Sequence, residues 1–318
     1  MDNIRIGVAG VGSMGERHCR IYSTLRGVQL IGVTDLAADR GRAVAAMYDT
    51  DFFDHYEQLL TEVDAITIAT TTPTHFDLAR QAIERGIHVL VEKPLTETLA
   101  QGEQLVAEAE SRRLVLQVGH IERFNPAFLE LQHVIEGLPL IAVQIERLSP
   151  FDTSNTDVDV ILDLMIHDLD LLMSLIGCDF DSLHALGRSV TSRAIDHAVA
   201  NFSFREGPVA TLVASRITEQ KVRSIKIIAQ GAYIEADLLG KSIMIHRRTM
   251  PTFDAAKYRQ ESVIEQIHVP MVEPLWLELR HFVDCVAEAK PPQVGGADGL
   301  RALKLAHTIV DQIRCGVV

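Results

Sequence analysis

Cysteine is scarce. The 318 residues contain four, Cys19, Cys178, Cys285 and Cys315, far apart and never in CxxC spacing. That argues against a disulfide framework or a zinc site and fits idle or buried thiols in a reducing cytoplasm. Long apolar runs are missing too, since none approaches the roughly 20 residues that cross a bilayer. Residues Met1 to Arg5 lack the basic, then apolar, then small-residue pattern of a secretory signal. Positive charge is also short: the formal net charge of −13 opposes nonspecific binding to nucleic acid or to an anionic membrane. No metal is expected, and no repeat or low-complexity segment stands out. What remains is 47% hydrophobic and 23% charged, the balance of a folded globular protein, with length for two domains.

The first 120 residues alternate short β-rich runs with amphipathic helical stretches. Strands are predicted at residues 4–9, 29–34, 65–69, 87–91 and 114–118, with helices at 13–25, 38–47, 74–85 and 98–111. This alternation implies βαβ crossovers and a parallel sheet covered on both faces, an α/β Rossmann domain over residues 1–119. Beyond Gly119 the pattern changes. A helix at 125–136, a strand at 140–148 and a long helix at 160–175 precede consecutive β-rich runs between Ser182 and His268. Turns at Glu206-Gly207-Pro208, Gly231 and Leu239-Gly240 separate these runs. Residues 120–318 therefore read as an α+β domain with an open, mainly antiparallel sheet. Helices at 275–288 and 298–314 close the chain, the last of them able to pack back on the first domain.

Immediately after the first strand stands Gly10-Val11-Gly12-Ser13-Met14-Gly15, the GxGxxG spacing. Gly10 allows the tight turn, Gly12 lets a pyrophosphate approach the backbone, and Gly15 permits close helix–strand packing. The helix N-terminus meanwhile faces the phosphates. Asp35 ends the next strand at the distance where a carboxylate receives the adenosine ribose hydroxyls and repels the extra phosphate of NADP. NAD is the expected cofactor, although Arg40, a helical turn on, works against that preference.

Glu92-Lys93-Pro94 ends a later strand, after the turn Thr70-Thr71-Thr72-Pro73-Thr74-His75. Together with GxGxxG and Gly296-Ala297-Asp298-Gly299, these residues make the chain resemble the Gfo/Idh/MocA family of sugar and polyol dehydrogenases. The resemblance covers nearly the whole chain. It adds Ser13, Met14, Thr70, Thr72, Pro73, His75, Glu92 and Lys93 to the cofactor set, and puts Lys93 beside the nicotinamide and the reacting hydroxyl. It also implies an aspartate four residues before a histidine, here Asp163 and His167. On a helix Asp163, His167 and Asp170 share one face, whereas Asp168 points elsewhere and reads as solvated or structural. Removing hydride from a carbinol requires a base for the hydroxyl proton, and imidazole titrates near neutral pH. His167 is therefore the expected general base, with Asp163 orienting it and Lys93 stabilising alkoxide charge. Relatives with glycines around this pair differ from this chain, which has Val158-Asp159-Val160 before it and Met165 within it.

The segment from Gly119 to Pro126, with residues 162–168, resembles a branch of the family that acts on a nucleotide sugar. That branch oxidises the 3-hydroxyl of UDP-N-acetylglucosamine with NAD in amino-sugar and lipid A precursor synthesis. It implies substrate contacts from Lys93, His120, Arg123, Asn125, Arg147, Asp163 and His167. Arg123 and Arg147 suit a diphosphate because guanidinium binds phosphate bidentately, though either fits a surface or interdomain ion pair equally well. A free sugar or cyclic polyol as substrate, and a non-catalytic NAD-binding role, stay open. The resemblance further implies a cytoplasmic homodimer or homotetramer formed on the open sheet.

Overall fold

The computed structural model describes residues 3–152, 157–177, 179–191, 193–248, 252–254, 257–259 and 262–316; Cys178 lies outside them. The chain groups into two compact units, Met1–Ile121 with Glu273–Lys304, and Glu122–Val272 with Leu305–Val318.

In the first unit the alternating pattern becomes β1 (Ile4–Ala9), α1 (Ser13–Tyr22), β2 (Val28–Thr34), α2 (Ala38–Met47), β3 (Asp51–Phe52), α3 (Tyr56–Leu59) and β4 (Ala65–Ile68). Then follow α4 (His75–Glu84), β5 (His88–Glu92), α5 (Leu99–Arg112) and β6 (Leu116–Gly119). The six strands form a parallel sheet in the order β3-β2-β1-β4-β5-β6, the doubly wound arrangement whose switch point falls between β1 and β4. Ile6, Val8, Ile66, Ile68, Val89, Leu90 and Val91 are buried, which accounts for the near-continuous apolar strands. Helix α5 starts at a capping box, where Thr98 Oγ1 accepts from the Gln101 amide and Gln101 returns the bond to Thr98 N–H.

A single division after residue 119 does not describe this unit. Helix α8 (Pro274–Glu288) returns to it, burying Leu275, Leu279 and Phe282 in one core with Ile6, Val8, Tyr22, Val33 and Leu90. The first part of α9 (Gly296–Cys315) belongs here as well. At Gly299 an added Cβ would lie 2.6 Å from Val118, so glycine allows this helix to lie against β6.

The second unit begins with α6 (Pro126–Ile135) and β7 (Leu140–Leu148), then α7 (Ile166–Ile176). The strands β8 (Phe180–Arg188), β9 (His197–Phe204), β10 (Val209–Ser215), β11 (Val222–Ala229), β12 (Ala232–Asp237), β13 (Ser242–Arg248) and β16 (Ser262–Ile267) follow. With β7 they form an eight-stranded sheet in the order β16-β13-β12-β11-β7-β10-β9-β8. Only β7 and β10 pair in parallel; the other neighbours are antiparallel, as expected for this half. A separate hairpin joins β14 (Thr252–Asp254) and β15 (Lys257–Arg259). One face of the large sheet buries Val143, Ile145, Leu212, Ile225, Ile227 and Ile234. The other exposes Leu186, Val209, Ile228 and Ile264, which follows from the period-two alternation of each strand.

The long helix expected at 160–175 is interrupted. Ile161–Met165 form a π-helical turn before α7 starts at Ile166. The wider turn resets the phase, so the four-residue spacing of Asp163 and His167 is not that of one α-helical face. A π-turn inside a helix frequently accompanies a functional residue, and Asp163 sits in this one. Among the described residues no helix is long and apolar enough to cross a membrane, and no group of three or more His, Cys, Asp or Glu could hold a metal.

Candidate active site

The cofactor end of the first unit is built by three glycines with different tasks. Gly10 turns the chain out of β1 with φ +81°, a conformation that costs residues with a Cβ. Gly15 sits so close that an added Cβ would lie 1.8 Å from Gly10 O, so α1 can approach the turn only through glycine. Gly12 is the reverse case: a Cβ there would meet nothing within 4 Å, leaving open space at the N-terminal end of α1. Backbone amides facing open space at a helix start suit the pyrophosphate of a dinucleotide. Ser13 is exposed and Met14 partly so, at the first turn of the same helix.

Asp35 fixes the loop from the side. Its carboxylate accepts from the Val11 amide (2.8 Å) and the Ala37 amide (2.8 Å), and pairs with Arg40 at 2.7 Å. Burial alone would raise its pKa, but the Arg40 and amide hydrogen bonds outweigh it and hold the carboxyl below the usual range. Asp35 thus keeps its negative charge, paired with the half-exposed Arg40.

At the carboxyl ends of β4 and β5 the Thr70–His75 turn meets the Lys93-Pro94 segment. His75 is buried, with Nδ1 2.9 Å from Pro94 O and Nε2 3.1 Å from Thr70 O. It is a strut between the two segments rather than an open contact, and burial lowers its pKa despite those bonds. Thr70 Oγ1 accepts from Thr74, whereas Thr72 is partly buried and Pro73 exposed on the 3₁₀ turn Thr72–Thr74. Lys93 is partly exposed; Glu92 behind it is buried. Glu92 accepts from His18 Nε2 at 3.0 Å and from the Lys93 amide at 3.3 Å. Desolvation pushes the Glu92 pKa up, yet the His18 hydrogen bond and the charges of His18 and Lys93 bring it below the ordinary value. His120, just beyond β6, is buried in this unit.

In the second unit Asp163 and His167 are both partly exposed, while Asp168 and Asp170 beside them are buried. The two buried acids explain the two arginines. Arg123 donates to Asp170 from Nε (2.7 Å) and Nη2 (3.2 Å), and to Ser174 from Nη1 (2.6 Å). Arg147 donates from Nε to Asp168 (2.8 Å) and from Nη1 to Glu122 (2.9 Å), and its Nη2 lies 2.7 Å from Asp168. These guanidiniums are buried and neutralised by carboxylates, the ion-pair role that the sequence leaves open beside diphosphate binding. Displacing either would strand carboxylates in the interior. Asn125 is also engaged within this unit. It caps α6 by accepting from the Ala127 amide, and its amide donates to Glu122 and Leu238 O. Arg223, which the sequence reading missed, stands directly across from Arg147 on the neighbouring strand. Burial, and then the Arg147 charge, lowers its pKa to about 10, with Asp168, Glu122 and Asp163 acting in the opposite sense. Alternation held a signal for both. Arg147 and Arg223 fall in phase with Val143-x-Ile145 and Ile225-x-Ile227, the buried sides of β7 and β11.

Comparison with known proteins agrees with this geometry. Residues 4–120 match the oxidoreductase family with an NAD-binding Rossmann fold, and residues 147–235 match the GFO/IDH/MocA C-terminal domain. The chain belongs to the Gfo/Idh/MocA family of oxidoreductases, with NAD as its cofactor. It is 36% identical over 306 residues, 96% of each chain, to UDP-N-acetylglucosamine 3-dehydrogenase of Acidithiobacillus ferrooxidans. A solved structure of that enzyme superposes with a TM-score of 0.91 at 34% identity, covering 99% of both chains. The scyllo-inositol 2-dehydrogenase (NAD(+)) of Bacillus subtilis strain 168 is 27% identical, covering 99% of this chain and 95% of its own.

Two outcomes follow. NAD should bind more tightly than NADP, and Asp35→Ser should narrow the gap in a fluorescence titration; equal affinities in the unmodified protein would refute the Asp35 argument. Arg147→Ala should destabilise the ligand-free protein by about 3–5 kcal/mol in urea unfolding, because Glu122 and Asp168 lose their buried counter-charge. An arginine kept for phosphate alone would leave that stability nearly unchanged.

Proposed function

We propose that this protein oxidises the 3-hydroxyl of UDP-N-acetylglucosamine to the 3-keto sugar, supplying an amino-sugar precursor of lipid A. The observation that carries this reading is the 36% identity to the Acidithiobacillus ferrooxidans enzyme across 96% of both chains, backed by the TM-score of 0.91. When bound, NAD supplies the hydride acceptor. The residues Gly10, Gly12, Gly15 and Asp35 hold and orient it, with Ser13, Met14, Thr70, Thr72 and Pro73 along its path. Lys93 holds the reacting hydroxyl and stabilises charge developing on its oxygen. His167 takes the hydroxyl proton, and Asp163 orients the imidazole. Lys93 belongs to the first unit and His167 to the second. His120 is a further candidate for substrate contact.

A second reading has its own support. With Arg123 and Arg147 committed to Asp170, Asp168 and Glu122, neither offers a free guanidinium to a diphosphate. A free cyclic polyol needs none, and a relative covering nearly the whole chain is a scyllo-inositol dehydrogenase. A non-catalytic NAD-binding role is disfavoured by the joint presence of Lys93, Asp163 and His167. The exposed Leu186, Val209, Ile228 and Ile264 support assembly as a homodimer or homotetramer through the open sheet face. The proposed location is the cytoplasm, where NAD is available.

NADH formation, measured with UDP-N-acetylglucosamine, free N-acetylglucosamine and scyllo-inositol in parallel, separates these readings. The nucleotide sugar should be turned over and the free sugar scarcely, because binding energy from the uridine diphosphate helps fix the hydroxyl. Lys93→Met and His167→Ala should each lower kcat by about two orders of magnitude while NAD still binds. Robust inositol oxidation with an inert nucleotide sugar would establish the second reading.

A further inference from the structure

Glu278 is a buried acid that the cofactor and substrate residues leave unused. On α8 of the first unit, it is 0% exposed, and among the described residues neither of its carboxyl oxygens has a hydrogen-bond partner. The same helix is tied to β6 through its backbone, since Gln117 Nε2 donates to Glu278 O at 3.2 Å. Gln117 Oε1 and His18 Nδ1, both buried nearby, also lack partners among the described residues. Tyr22 on α1, whose pKa burial raises, lies in the same buried core as Leu275 and Leu279 of α8 and spends its hydroxyl on Thr67 at 2.9 Å.

Glu92, which α1 reaches through His18, is held under tight constraint. It lies opposite Gly119 in the β5–β6 register, and an added Cβ at Gly119 would come within 2.8 Å of its Oε2. Its two oxygens are fixed by His18 Nε2 and by the backbone amide of Lys93. A buried carboxylate with one imidazole and one amide as partners can remain ionised; a buried carboxyl with none cannot bear a charge at comparable cost.

We propose that Glu278 is a positioning residue for Lys93, acting through Glu92: buried without partners, it stays uncharged and leaves the Glu92 carboxylate undisturbed in its bonds to His18 and the Lys93 amide. Ionising Glu278 would set a second buried anion against Glu92, loosen its bonds to His18 and the Lys93 amide, and shift Lys93. This rests on the reading of Lys93 as the residue that holds the hydroxyl. The groups of this core around Glu278 are Cys19 and Tyr22 on α1, in one buried cluster with its helix, Gln117 on β6, and, through His18, Glu92 on β5. Burial, and then the Glu92 charge, keeps the Glu278 pKa well above the usual carboxylate range. An acid whose folded pKa is raised loses stability as pH climbs from the unfolded value through the folded one, and is neutral in its effect below both.

The test uses the full chain with Glu278→Gln, a neutral isostere, and Glu278→Met, which removes both oxygens. Melting temperatures of the NAD-free variants and the unmodified protein should converge near about pH 4 and diverge as pH rises, with the variants more stable at about pH 8. With the substrate that the NADH assay identifies, the ratio of kcat at about pH 9 to kcat at about pH 7 should rise at least ~3-fold in Glu278→Gln. Parallel melting curves across pH, or a variant less stable on the alkaline side, would overturn the proposal, as would an unaltered kcat profile. Failure of the Lys93 reading shows separately, as a Lys93→Met variant that keeps its turnover.

Discussion

Glu92 is a carboxylate that stays charged while buried at the carboxyl end of a central strand, and several local features exist to make that possible. Its oxygens take a hydrogen bond from His18 on α1 and one from the Lys93 amide, and the glycine at 119 leaves it room on the next strand. Because desolvating an isolated carboxylate costs far more than one hydrogen bond returns, any slack among these partners would expel the side chain or protonate it. The anchored strand end sets where Lys93 emerges. The neighbouring turn is held to the same segment by His75 through Thr70 O and Pro94 O. Positional precision thus comes from buried polar groups, at a place where loops would otherwise be free to move.

The second unit shows a related economy. The acids Asp168, Asp170 and Glu122 are buried against Arg123 and Arg147, and the helix that presents His167 carries two of them. Ion pairs of this kind add little net stability over apolar packing, but losing one partner is costly. Their effect is to fix α7 against β7, so that Asp163 and His167 stand partly exposed from a rigid base. The π-turn at Ile161–Met165 belongs to the same arrangement, because it turns Asp163 outward while Ile161 and Met165 remain buried.

Much of this was legible in the sequence because it is local. The spacing Gly10-x-Gly12-x-x-Gly15, the acid at 35 and the Glu92-Lys93-Pro94 strand end are short patterns whose geometry the backbone enforces, and the alternation of strands and helices gave both sheets. Long-range partnership was not legible. His18 meets Glu92 across 74 positions, and Arg123 meets Asp170 across 47. A phosphate-binding arginine and a buried one look alike until their partners are placed. The signals that existed were of phase: Glu278 falls in the apolar stripe of Leu275, Leu279 and Phe282, and Arg147 on the inward side of β7. A charged residue in phase with a core points to a buried partner. The return of α8 to the first unit was hidden for the same reason, since an apolar stripe does not say which core it joins.

The account stands or falls on which carbon of which sugar gives up hydride. UDP-N-acetylglucosamine carrying deuterium at C3 can be incubated with the protein and NAD, and the reduced cofactor examined for label by mass spectrometry and NMR. The account predicts deuterium in the nicotinamide ring of the NADH formed, with a slower rate than for the unlabelled sugar. Unlabelled NADH, formed at an unchanged rate, would place the chemistry at a different carbon and contradict it.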